Sequence, residues 1–205
     1  MSLDNLPVNW FDLALIAVLG LGIWRGRKHG MSEETLPLAK WLIITLGAAL
    51  AYEPVGQFLA SASPLSLLAS YIIGYLTVVL TVFILFTLVK RTLGGKLLGS
   101  DFFGRAEYYL GMIAGLIRFA CGLMVVLALL NARLYTPDEV RAMQRYQMEN
   151  YGSSFFPTLQ SVQESVFVRS FSGRLIKEHA AQLLIRPTQP GGGEIKRPKA
   201  DLPGL

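Results

Sequence analysis

LSLLASYIIGYLTVVLTVFILFTLV, residues 65–89, runs for twenty-five positions without a charged side chain. A bilayer core about 30 Å thick is crossed by roughly 20 helical residues. This stretch therefore predicts a membrane-spanning helix. Residues 108–131, YYLGMIAGLIRFACGLMVVLALLN, are nearly as apolar, interrupted only by Arg118, and predict a second. The whole chain fits. Of its 205 residues 52% are hydrophobic and 16% charged, with a mean hydropathy of +0.44, where a soluble domain carries about 25% charge. That composition argues against a soluble enzyme, a disordered chain and a secreted disulfide scaffold. Cys121 is the single cysteine, and no Cys/His cluster suggests zinc.

Two shorter apolar segments precede these. Residues 8–24 have Asp12 near their start, and residues 36–53 have Lys40 near their start and Glu53 at their end. Each is about the minimum length for a span, so full spans and an interfacial or re-entrant pair both stay open. The first nine residues hold no Lys or Arg and no small-residue cleavage site follows, which predicts an uncleaved helix rather than a signal peptide.

Basic residues orient the expected helices. Arg25, Arg27 and Lys28 fill the first loop, and Lys90, Arg91, Lys96 and Arg105 the third. The second loop has none, and residues 132–150 have Arg133, Arg141 and Arg145. Placing the first and third loops in the cytoplasm puts seven basic residues inside against three outside, as the positive-inside rule favours. Both termini then lie outside the cytoplasm. This orientation explains much of the net charge of +5. No basic run is interleaved with aromatics, so nucleic acid is not an expected partner.

The remainder, 133–185, reads as an amphipathic helical tail. Thr136-Pro137-Asp138-Glu139 has the form of a capping box with Pro at the first helical position. A second helical stretch over about 157–185 carries Leu159, Val162, Val166, Phe171, Leu175 and Leu183, with Gly173 as its expected break. Its apolar face is expected to lie on the membrane surface or a partner. Residues 186–205 are rich in Pro and Gly and predict disorder.

Within the spans, Gly111, Gly115, Arg118 and Gly122 fall on one helical stripe. The glycines suit close helix packing, and Arg118 should face protein or a cavity. Asp12 is within reach as its partner, the alternatives being Asp12 as a helix cap and Arg118 on backbone carbonyls. Ser70, Gly74, Thr77 and Thr81 form a small polar seam, read as helix packing. Trp10, Trp24 and Trp41 sit at expected span ends. Glu33 and Glu34 read as helix-start charges. No nucleophile, phosphate-binding or metalloprotease motif is present, so neither a catalytic residue nor a cofactor or metal is expected.

The first segment, N-W-F-D-L-A-L-I-A-V-L-G-L-G-I-W-R-G-R-K-H-G, resembles the opening of the CvpA (colicin V production protein) family. Trp10, Phe11 and Asp12 match its aromatic-Asp start, and Arg25, Gly26 and Gly30 its turn. In the last span Gly111, Gly115 and Arg118 match a D-R-x-x-G-x-x-x-G-x-x-R-G pattern, while Glu107, Tyr108 and Phe119 depart from it. The resemblance covers about residues 8–131. It implies a bacterial inner-membrane protein with four spans, linked to toxin export and envelope function and carrying no established catalysis. The expectation is thus an all-α, four-span domain at 1–132, an extracytoplasmic helical tail and a disordered end. Its expected partners are the lipid bilayer, copies of itself or other envelope and export proteins. A small oligomeric transporter or channel is the rival reading.

Overall fold

In a computed structural model, residues 9–93, 104–152 and 157–190 are described. Three helices are long and apolar enough to cross a membrane: α1 (Trp10–Ala62), α2 (Leu67–Leu93) and α3 (Glu107–Asn131). The tail adds α4 (Pro137–Tyr151), α5 (Leu159–Glu164) and α6 (Phe171–His179), with a π turn at Ser165–Arg169 between the last two. Among the described residues the fold is all-helical. The extended pairing is one bridge, Arg133 to Thr188.

The two short apolar segments do not form separate elements. Both lie in α1, which breaks at Gly30, where φ is 74° and ψ 173°. That backbone conformation is open to glycine and strained for a residue with a Cβ. The break is a reversal, as the neighbours of α3 show. In the first arm, residues 10–29, Gly26 meets Gly111 and Gly22 meets Gly115 and Phe119, so the arm runs antiparallel to α3. In the second arm, residues 31–62, the Ser32 amide donates to Glu107 and the Thr45 hydroxyl to the Cys121 carbonyl, so this arm runs parallel to α3. Both arms leave the Gly30 turn along α3. Glu107 secures the turn, its carboxylate accepting the Ser32 amide at 2.6 Å at the N-terminus of the second arm, where a negative charge is favoured.

The helices exceed the expected spans 36–53 and 65–89 at three of their four ends, α2 starting at Leu67. The second arm extends five residues further toward Gly30 and runs on to Ala62, and α2 runs to Leu93. α2 turns back along the second arm, with Gly74 against Tyr52 and Gly56, and Lys40 Nζ 4.3 Å from the centre of the Phe83 ring. Lys40 thus meets an aromatic face. Trp41 also differs from expectation. It lies inside the arm, its ring 3.8 Å from where a Cβ on Gly122 would stand.

The core sits at the end away from Gly30. Phe11, Ala48, Tyr52, Tyr71, Tyr75, Leu127 and Ala128 are joined there by Val166, Phe167, Leu184 and Ile185 of the tail. The tail therefore buries these four residues on this chain's own helix ends, while Leu159, Phe171 and Leu175 stay exposed. α4 begins with the Thr136–Glu139 capping box. The tail's expected break at Gly173 is corrected. The chain turns at Ser170, whose φ of −87° and ψ of 147° leave the helix and whose hydroxyl caps α6. Gly173 is inside α6, where a Cβ would strike the Val166 carbonyl. Its small size serves packing, not breaking. Of the expected disordered stretch, residues 186–190 are described and Thr188 is bonded to Ala132 and Leu134. Residues 191–205 lie outside the described part, as do Lys96 and residue 8 of the first expected span.

Candidate functional site

Two polar assemblies stand out, one near each end of the bundle. The inner one is an ion pair. Arg118 Nη1 lies 2.5 Å from Glu34 Oε2, with 12% and 2% of the two side chains exposed. Arg118 comes from the middle of α3, about 16 Å along it from Glu107. Helical side chains lean toward the N-terminus of their helix, and on α3 that is the Gly30 end. Glu34 stands one turn past Gly30, on the stripe of the second arm that also buries Thr45, Ala48, Tyr52 and Gly56.

Asp12 is not the partner of Arg118. It lies at the opposite end of the bundle, away from which the guanidinium leans. It belongs to the outer assembly, where its carboxylate accepts the Asn9 amide at 2.8 Å, the Ser172 amide at 2.9 Å and the Phe171 amide at 3.4 Å. The Ser172 hydroxyl donates to it as well. Asp12 thus closes its own helix start through a capping box with Asn9 and receives the N-terminus of α6. Two helix ends with free amides share one buried carboxylate.

Further bonds fasten the tail to the same end. Asn9 donates to the Ser165 carbonyl at 2.8 Å and Asn131 to the Ile185 carbonyl at 2.9 Å. The Arg186 amide donates to the Tyr52 hydroxyl at 3.3 Å, and Gln163 donates to the carbonyls of Leu130 and Arg133. Gln163 thereby gives a partner to Leu130, one of the last carbonyls of α3.

The glycines divide by role. Gly22, Gly26, Gly30, Gly111 and Gly115 form a seam in which the first arm and α3 touch backbone to backbone. Gly22 belongs to it, and the successive four-residue spacing of Gly22, Gly26 and Gly30 is the signal in the sequence. Gly122 faces only the Trp41 ring. The Ser70–Thr81 seam splits. Ser70 and Gly74 are buried against the second arm, while Thr77 and Thr81 are exposed and return their hydroxyls to the carbonyls of Ile73 and Thr77 on their own helix. Arg25 is exposed, and its carbonyl is 2.9 Å from His29 Nδ1.

Among the described residues no group of three His, Cys, Asp or Glu side chains is placed to hold a metal. The arrangement neutralises buried charge and locks helix ends.

Long apolar helices, paired charges within them and a tail bonded over their ends define a multi-pass membrane protein. Over residues 11–174 the chain matches the family model described as colicin V production protein, and it belongs to that family. No curated protein and no solved structure gives a significant match.

Proposed function

We propose that this chain is a four-span, non-catalytic accessory protein of the bacterial inner membrane, of the colicin V production type. It acts as a scaffold in peptide or toxin export and envelope maintenance. Both arms of α1, α2 and α3 are the four spans. The N-terminus and the tail lie outside the cytoplasm. Family membership supports the role. The helix directions support the orientation, because they bring Arg25, Arg27, Lys28, Lys90 and Arg91 to the Gly30 end, away from Asp12 and the tail.

The observation that carries the scaffold reading is that Asp12, Glu34 and Arg118 are committed to internal partners. A scaffold needs charges that hold helices together, whereas a solute path needs charges that face the solute. A tail fastened over the outer helix ends offers a surface for envelope partners.

The buried Glu34–Arg118 pair is also what a small oligomeric transporter would use, since intramembrane ion pairs serve as relays. Loss of the protein should lower peptide-toxin secretion or resistance to envelope stress, while purified full-length protein in liposomes passes no solute saturably. A saturable flux abolished by Arg118→Leu would establish the transporter in place of the scaffold.

A further inference from the structure

We propose that α6 and the π turn before it lie in the membrane–water boundary on the tail side, with Val168, Phe171 and Leu175 set into the lipid. The partner is the phospholipid surface of the membrane that holds the bundle. The inference rests on the multi-pass membrane reading and is independent of which side faces the cytoplasm.

α6 has two apolar sides, and the bundle covers only one of them. Gly173 is pressed on the Val166 carbonyl and Ile176 packs against the core. On the other side Phe171 and Leu175, four positions apart, are 58% and 48% exposed, and Val168, in the π turn before Ser170, is 58% exposed. The height of this side along the bundle is fixed. Asp12, the third residue of α1, holds the amides of Phe171 and Ser172, so α6 starts level with the first turn of the first arm. On that arm Leu13 and Ile16 flank Asp12 at one and four positions onward, and both are exposed, as is Trp10. An apolar surface therefore continues from the lipid-facing arm onto α6.

The flanking charges suit the same location. Arg174 and Lys177 are exposed beside the apolar stripe, with Glu178 exposed at the far end of α6, and Lys177 Nζ reaches to 5.7 Å from the Phe167 ring. An apolar stripe with basic residues alongside is the composition of helices that lie in the headgroup region, and Trp10 is the residue type enriched at that depth. Exposed Leu, Phe and Val would fit a soluble partner's groove as well. Continuity with the lipid-facing arm and the fixed depth select the lipid.

The test uses full-length protein in nanodiscs of phosphatidylethanolamine and phosphatidylglycerol. In a Cys121→Ser background, Val168→Cys, Phe171→Cys, Leu175→Cys, Lys177→Cys and Leu80→Cys variants each carry an environment-sensitive fluorophore. Labels at 168, 171 and 175 should emit to the blue and lose intensity to nitroxide-bearing lipids. The label at 177 should instead be quenched by aqueous iodide. Three independent positions keep one poorly folded variant from deciding the outcome. Water-like emission with iodide access at 171 and 175 would overturn the proposal, and shielding from both quenchers would assign the face to protein contact. The label at 80, on α2, must be quenched by lipid. Failure there as well would remove the membrane reading together with the proposal.

Discussion

At the scale of single residues, Arg118 and Glu34 show why a charge on an apolar helix must be assigned a direction as well as a depth. Counting rise along the helices brings Asp12 and Arg118 within a few ångströms of one another in depth. The backward lean of helical side chains sends Arg118 the other way, to a carboxylate buried at 2% exposure. Removing one partner leaves the other charge buried without compensation, a loss of about 3–5 kcal/mol in water-soluble proteins. Arg118→Leu should therefore lower thermal stability in detergent well beyond Lys40→Leu, whose ammonium lies over the rings of Trp41 and Phe83. In a double-mutant cycle, Glu34→Gln and Arg118→Gln should couple by about 0.5–3 kcal/mol, whereas Asp12→Asn and Arg118→Gln should add. Coupling in the second cycle and additivity in the first would dismantle the assignment.

At the scale of elements, the first arm and α3 are held by what their glycines lack. Small residues four apart let two helices approach until backbone touches backbone. A methyl group at Gly26 or Gly115 would meet the carbonyl of Gly111 or Gly22. Gly26→Ala and Gly115→Ala should each destabilise by about 1–3 kcal/mol, the usual cost of overpacking. Gly20→Ala and Gly47→Ala face open space and should be neutral or mildly stabilising, since Ala favours helix by up to about 1 kcal/mol. Equal melting curves for Gly20→Ala and Gly26→Ala would contradict the seam. The tail obeys a different logic. Val166, Phe167, Leu184 and Ile185 are buried in the bundle core, so truncation after Asn150 should expose Phe11 and Leu127 and lower the yield of monodisperse protein. Truncation after Pro190 keeps Thr188 on Ala132 and should leave that yield unchanged.

At the scale of the whole molecule, the reversal at Gly30 and the antiparallel course of α2 send Asn9 and the tail helices to one end of the bundle. Reporter fusions near residues 60 and 150 should read extracytoplasmic, and those near 29 and 97 cytoplasmic. Cytoplasmic signals at both 60 and 150 would invert the orientation. A disagreement between 29 and 97 would mean that the Gly30 reversal stops short of crossing the membrane.

The helices were legible because hydrocarbon thickness translates directly into a run of apolar residues, and residues 65–89 and 108–131 state it without help from any neighbour. The turn at Gly30 was marked by the family resemblance, although Arg25 and Gly26 lie in the helix before it, and the Gly111–Gly115 spacing was legible by itself, since a positive-φ turn and close packing both require a missing side chain. The partners were not. Glu34 reads as a helix-start charge until α3 brings Arg118 beside it, and Asp12 reads as a cap until α6 arrives from 160 positions further along the chain. Sequence spacing reports which residues share a helix face. Which two faces meet is set by the packing of the assembled bundle, where the large separation in sequence leaves no local trace.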